Sequence, residues 1–134
     1  MDDLISVLVA DDDRGLRESL VDALTDRGMV AHAADSGTRA IAIARRTRIH
    51  VGILDVHMPG LTGIETCRRI HEVVGALPLI LMSGAMTEDL ASHALDAGAA
   101  SFLPKPLDIR ILLRTLDDLV RSHYGFGRPD DRRF

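Results

Sequence analysis

Five short apolar runs punctuate the chain, and each is nearly continuous rather than alternating in polarity. They are Ile5 to Ala10, Met29 to Ala33, Val51 to Leu54, Leu77 to Met82 and Ala100 to Leu103. Strands that are apolar on both sides must be covered on both faces, as they are in a parallel sheet. The segments between them carry helical spacing instead. Leu16, Leu20 and Leu24 recur every fourth residue, and Gly28 follows where a left-handed cap belongs. Ser36 can cap a second helix with Ala40, Ile41 and Ala44 inward, and Ile64, Cys67, Ile70 and Val74 mark a third. Thr87 with Glu88 and Asp89 opens a fourth, closed by Gly98. Asp108 opens a fifth, whose stripe is Ile109, Leu112, Leu113, Leu116 and Val120. Strand–helix alternation implies right-handed crossovers and a doubly wound, five-stranded parallel sheet; five units are too few for an eight-stranded barrel.

One domain of 134 residues accommodates this pattern without a disulfide or structural metal. The expected unit spans residues 1–122, leaving 123–134, with Gly125, Gly127 and Pro129, as a tail or linker stub. The net charge of −4 gives no bias toward nucleic acid or anionic membrane. Cys67 is the single cysteine, the chain starts with an acidic Met1-Asp2-Asp3, and no apolar run approaches the ~20 residues of a membrane span. A cytoplasmic location is therefore expected.

In an open α/β sheet, ligands sit beyond the carboxyl ends of the strands where strand order reverses. The first strand runs into Asp11-Asp12-Asp13, the third into Asp55, the fourth into Ser83 and the fifth into Lys105. Carboxylates ~4 Å apart repel by about 4 kcal/mol at an effective dielectric of 20, so converging Asp11, Asp12 and Asp55 demand either a retained proton or a cation. An all-oxygen donor set favours Mg²⁺ over Zn²⁺. Lys105 is the only Lys among 16 basic residues, the rest being Arg. A compact ammonium on a flexible stem can reach a carboxylate and a phosphoryl oxygen together. Asp13 fits the N-cap of the first helix better than a metal ligand, and Cys67 fits a small buried hydrophobe. Arg110, Arg114, Asp117, Asp118 and Arg121 read as a solvated helix face, and His32, His50, His71, His93 and His123 show no ligand spacing.

Taken in order, these residues resemble the receiver domain of two-component response regulators, over roughly residues 4–122. The resemblance rests on Asp11-Asp12 after Val7-Leu8-Val9, on Asp55 within Ile53 to Gly60, on Ser83 after Leu79 to Met82, and on Lys105-Pro106 after Phe102-Leu103. It implies a (βα)5, flavodoxin-like sheet of strand order 2-1-3-4-5. It implies Asp55 as phosphoacceptor from a sensor histidine kinase or phosphotransfer protein, with Ser83 and Lys105 contacting the phosphoryl group. Mg²⁺ would be ligated by Asp12, Asp55 and the His57 carbonyl, with Asp11 acting through water. Phe102 takes the place of an aromatic switch, and Lys105-Pro106 that of a cis bond. The change would be relayed to the face of helix 4, strand 5 and helix 5, toward a downstream protein or a fused effector domain. Charges on helix 5 can pair across a homodimer in this family. His57 and Ala85 flank the site at positions facing an attacking water, and Ala85 cannot orient one, so slow self-dephosphorylation is expected. Two alternatives stand beside the switch. A Mg²⁺-dependent phosphohydrolase would carry Asp-x-Asp on its first strand, whereas Asp55-Val56-His57 lies on the third and lacks the second Asp. A docking module would not need Asp11, Asp12, Asp55, Ser83 and Lys105 together. No DNA-reading motif is present, so neither nucleic acid nor membrane is an expected partner of this chain alone.

Overall fold

The computed structural model describes residues 4–125. Strands β1 (Ser6–Ala10), β2 (Val30–Ala34), β3 (Val51–Asp55), β4 (Leu79–Ser83) and β5 (Ser101–Pro104) alternate with helices α1 (Arg14–Asp26), α2 (Gly37–Arg46), α3 (Gly63–Val74), α4 (Glu88–Asp96) and α5 (Ile109–Tyr124). All strand pairs are parallel, in the order β2-β1-β3-β4-β5. This is the doubly wound sheet that the apolar runs require.

Period-2 alternation of side chains sends the two halves of each apolar run to opposite faces. Leu8, Leu54, Leu79 and Leu81 pack with Ala40 and Ala44 of α2, Cys67 and Ile70 of α3, and Ala94 of α4. Val7, Val9, Ile53, Ile80 and Met82 pack with Leu20 and Leu24 of α1 and with Leu112, Leu116 and Val120 of α5. The inner stripes are narrower than expected at their ends, since Val74 is 43% exposed and Ile109 36%. Val74 ends α3 and Ile109 begins α5, so each sits in a terminal turn.

The helix starts follow their caps. Asp13 accepts from the Leu16 amide, Ser36 from Arg39, Thr87 from Leu90, and Asp108 from Arg110 and Ile111. Helix α3 begins with a reciprocal capping box between Thr62 and Glu65, a Thr-x-x-Glu signal overlooked in the sequence. Gly28 and Gly98 adopt positive φ just past α1 and α4, as their positions suggested.

Two elements differ from expectation. Helix α5 runs on through His123 and Tyr124, which the sequence placed in the tail. The Tyr124 hydroxyl donates to the His50 carbonyl at 2.7 Å and its ring meets that of His50 edge-on, tying the last turn to the start of β3. Residues 126–134 of the expected tail lie outside the described residues. Asp117, read as solvated, is buried and pairs with Arg27 at 3.1 Å, bracing α5 against the end of α1. Among the described residues no helix is long and apolar enough to cross a membrane.

Candidate functional site

Strand β1 ends one residue before Asp11, β3 ends on Asp55, β4 on Ser83, and β5 one residue before Lys105. In a parallel sheet these ends are adjacent, so the order β1-β3-β4-β5 sets the order of the side chains across the crevice. Asp11, Asp12 and Asp55 each bring a carboxylate oxygen within 4.8 Å of the others. Asp11 and Asp55 are buried, whereas Asp12 is exposed.

Sequence alone required a cation or a proton among these carboxylates. In the structure the cation is the Lys105 ammonium, 3.0 Å from Asp11 Oδ2 and 3.2 Å from Asp55 Oδ1. Burial works against its charge, but the hydrogen bond and charge of Asp11, followed by those of Asp55, hold its pKa above the ordinary value. Asp55 remains raised as well. Burial is the main cause and the Asp11 charge the second, with Lys105 and the His57 amide only partly offsetting them. Asp55 is thus a nearly buried carboxylate whose negative charge is only partly compensated. That environment favours an added positive charge nearby. Three carboxylates with no sulfur or imidazole donor among them fit a hard divalent ion such as Mg²⁺.

The surrounding backbone is pinned. Asp11 Oδ1 accepts from the Asp13 amide at 2.9 Å, and Arg17 of α1 donates to the Asp11 carbonyl at 2.7 Å. Asp55 Oδ1 also accepts from the His57 amide at 3.3 Å. Gly63, the first residue of α3, donates to Val56 O at 2.9 Å, and a Cβ there would lie 2.8 Å from Val56 Cα and closer still to the Asp55 carbonyl. Neither Arg17 nor Gly63 was singled out from sequence. An Arg on a helix and a Gly before a helix are individually uninformative, and only the approach of α1 and α3 to the strand ends gives them a role.

Ser83 is buried, and the hydrogen-bond partners of its hydroxyl are His57 and Ala85, none of the three carboxylates. It accepts from the Ala85 amide at 2.9 Å, lies 3.2 Å from the Ala85 carbonyl, and meets His57 Nε2 at 3.0 Å. His57 is exposed, with its ring folded over Ser83 instead of standing free at the rim. Phe102 is half-buried against the α2–α3–α4 side of the sheet. The Lys105-Pro106 bond is cis. Cys67 is fully buried, with its thiol pushed up to about 11 by desolvation and donating to the Ala97 carbonyl at 3.4 Å. His71, Nε2 2.8 Å from Leu77 O, lies apart from the acidic cluster.

Comparison with known proteins gives a consistent picture. The response regulator receiver domain family matches residues 7–117. The response regulator MprA of Mycobacterium leprae (strain TN) is 35% identical over 125 residues, covering 93% of this chain and 53% of the relative. The chain therefore spans about half the length of the curated relatives it matches. Among solved structures, the chemotaxis protein CheY4 of Vibrio cholerae superposes with a TM-score of 0.82 at 28% identity, covering 87% of this chain and 98% of that one. A CheY-like receiver domain protein from Methanospirillum hungatei JF-1, at 22% identity, shares the fold with a TM-score of 0.85 over 89% of this chain and 95% of its own. With the family matched across most of its length and the acidic crevice at the carboxyl end of its sheet, the chain belongs to the response regulator receiver domains of two-component systems.

Proposed function

We propose that the chain is a phosphorylation-dependent signalling switch in which Asp55 accepts a phosphoryl group from a sensor histidine kinase or phosphotransfer protein. The observation that carries this reading is the placement of the Lys105 ammonium between Asp11 and Asp55, with Asp12 beside them at one sheet end. An oxygen of the Asp55 carboxylate attacks the phosphorus of a phosphohistidine. The new P–O bond forms as the P–N bond breaks, and the donor histidine leaves as neutral imidazole, keeping the proton already on its other ring nitrogen. The protein positions the reactants and compensates charge, as in other phosphoryl transfers. Asp12, Asp55 and the His57 carbonyl would hold Mg²⁺, with Asp11 bound to it through water. When bound, the ion neutralises charge on the phosphoryl oxygens.

Phosphorylation replaces a singly charged carboxylate with a group of charge near −2. Lys105 already contacts Asp55 Oδ1 and needs only a small shift to follow the added oxygens. The Ser83 hydroxyl has further to move, because its present partners are His57 and Ala85. Its withdrawal toward the phosphoryl group vacates space into which Phe102, half-buried on the neighbouring strand, can turn. The face of α4, β5 and α5 changes with it, biasing a conformer that pre-exists as a minor population. We read the receiver unit as residues 1–122, its last helix carrying on to Tyr124, followed by a tail or linker. Its output passes to a downstream protein or fused effector domain, in the cytoplasm, with no separate turnover substrate.

Calorimetric titration with beryllium fluoride in saturating Mg²⁺ tests the reading. One equivalent is expected to bind, with Asp55→Asn abolishing the heat. A docking module would show no binding in the wild type.

A further inference from the structure

A serine hydroxyl has one proton to give and two lone pairs to receive. All three capacities of Ser83 Oγ are engaged. The Ala85 amide donates to it, and the Ala85 carbonyl and His57 Nε2 fill the remaining positions, Nε2 at 3.0 Å. The ring tautomer sets the direction of the imidazole bond: Nε2 donates when the hydroxyl proton points to Ala85 O and accepts when that proton points to Nε2. None of these partners is a carboxylate, so in the resting arrangement the hydroxyl is engaged by groups other than Asp55. His57 also touches the acceptor itself, since its backbone amide donates to Asp55 Oδ1 at 3.3 Å. One residue thus holds the acceptor carboxylate with its main chain and the relay hydroxyl with its ring.

We propose that His57 is a positioning residue that latches Ser83 in the resting arrangement, so that turning the hydroxyl toward a phosphoryl group on Asp55 must break the imidazole contact. This rests on Asp55 being the phosphoacceptor. The latch lowers the affinity for anything that recruits the hydroxyl, by the equilibrium worth of one hydrogen bond, roughly a factor of three to ten. The structural reason for assigning it to the ring is that the side-chain bond of His57 goes to the relay hydroxyl itself.

The test is beryllium fluoride affinity in saturating Mg²⁺ for five proteins: wild type, His57→Ala, His57→Gln, Ser83→Ala and the double variant His57→Ala with Ser83→Ala. His57→Ala is expected to bind roughly three to ten times more tightly than wild type. His57→Gln, which can place an amide near the position of Nε2 to donate or accept, is expected to return to within about twofold of wild type, as a retained hydrogen-bond partner should. On the Ser83→Ala background the His57 substitution is expected to have no effect, because no hydroxyl remains to be held. Unchanged or weaker binding by His57→Ala overturns the latch, and so does an equal gain in both backgrounds, which would mark simple steric opening of the crevice. A wild type that binds no beryllium fluoride overturns the phosphoacceptor reading and the latch with it, whereas a wild type that binds while His57→Ala behaves identically removes the latch alone.

Discussion

Replacing Lys105 with Met lowers stability at neutral pH by about 3 kcal/mol, roughly 10 °C in Tm for a domain of this size. The methionine keeps most of the volume of the lysine stem, so the loss reports charge and not a cavity. Asp11 is fully buried and Asp55 nearly so, and Lys105 Nζ is within 3.2 Å of both. Removing it leaves two carboxylates facing each other in a low-dielectric crevice, the situation in which breaking a buried pair costs most. The pH dependence has a defined sign. Asp55 already titrates above its ordinary value of 3.8, and without the ammonium it moves higher. A carboxyl raised in the folded state stabilises the fold where it is protonated, and that contribution is lost as pH rises through the folded value. The deficit of Lys105→Met therefore shrinks on acidification below neutrality and is largest above it. In the wild type Lys105 itself is raised above 10.5, so its contribution is complete below that pH and disappears only at the alkaline edge. Adding Asp55→Asn to Lys105→Met restores most of the loss at neutral pH, because one charge of the repelling pair is gone. Denaturant unfolding of the wild type and the two variants at neutral and mildly acidic pH decides this. A deficit that is small and independent of pH would show that the ammonium is not what holds the acidic crevice together.

Gly63→Ala is expected to cost a similar amount, about 3 kcal/mol, for an unrelated reason. Gly63 opens α3 and has no positive φ, so alanine meets no conformational penalty and gains helix propensity. The whole cost is steric. The new methyl would lie 2.7 Å from the Asp55 carbonyl carbon and 2.8 Å from Val56 Cα, and these are main-chain atoms that cannot rotate away. Either α3 lifts off the sheet or the peptide carrying the acceptor shifts, so beryllium fluoride binding should weaken along with stability. Gly52→Ala is the appropriate control. Its Cβ would meet Leu79 Cδ2 at 2.5 Å, the far end of a side chain that can adjust, so its loss should be smaller and its effect on binding slight. Thermal unfolding ranks the two, and equal losses would show that the packing of α3 on the acceptor loop carries no special constraint.

Most of the architecture was legible because each level of the sequence pointed the same way. Runs such as Leu77 to Met82 are too short and too uniformly apolar for anything but strands covered on both faces, and Ser36, Thr87 and Asp108 stand where helices need their first acceptor. The convergence of Asp11, Asp12, Asp55 and Lys105 followed from strand ends being neighbours in a parallel sheet. What stayed hidden depends on contacts between distant segments. Coulomb repulsion shows that the carboxylates need a cation without saying that Lys105 supplies it. The Arg27–Asp117 pair spans 90 residues and the Tyr124–His50 bond 74, and no local pattern marks either. Gly63 is needed only because α3 lands on the Asp55 peptide, and His57 turns toward Ser83 because β3 and β4 are adjacent.

The central claim is that Asp55 becomes an acyl phosphate. Mass spectrometry of intact protein and of its proteolytic peptides, after incubation with Mg²⁺ and acetyl phosphate or a phosphorylated kinase, measures this most directly. The expected result is an adduct of about 80 Da, the mass of one phosphoryl group, confined to the peptide containing Asp55 and missing from Asp55→Asn. An unmodified Asp55 peptide under conditions that fully phosphorylate a control receiver domain, or an adduct that persists in Asp55→Asn, would contradict it.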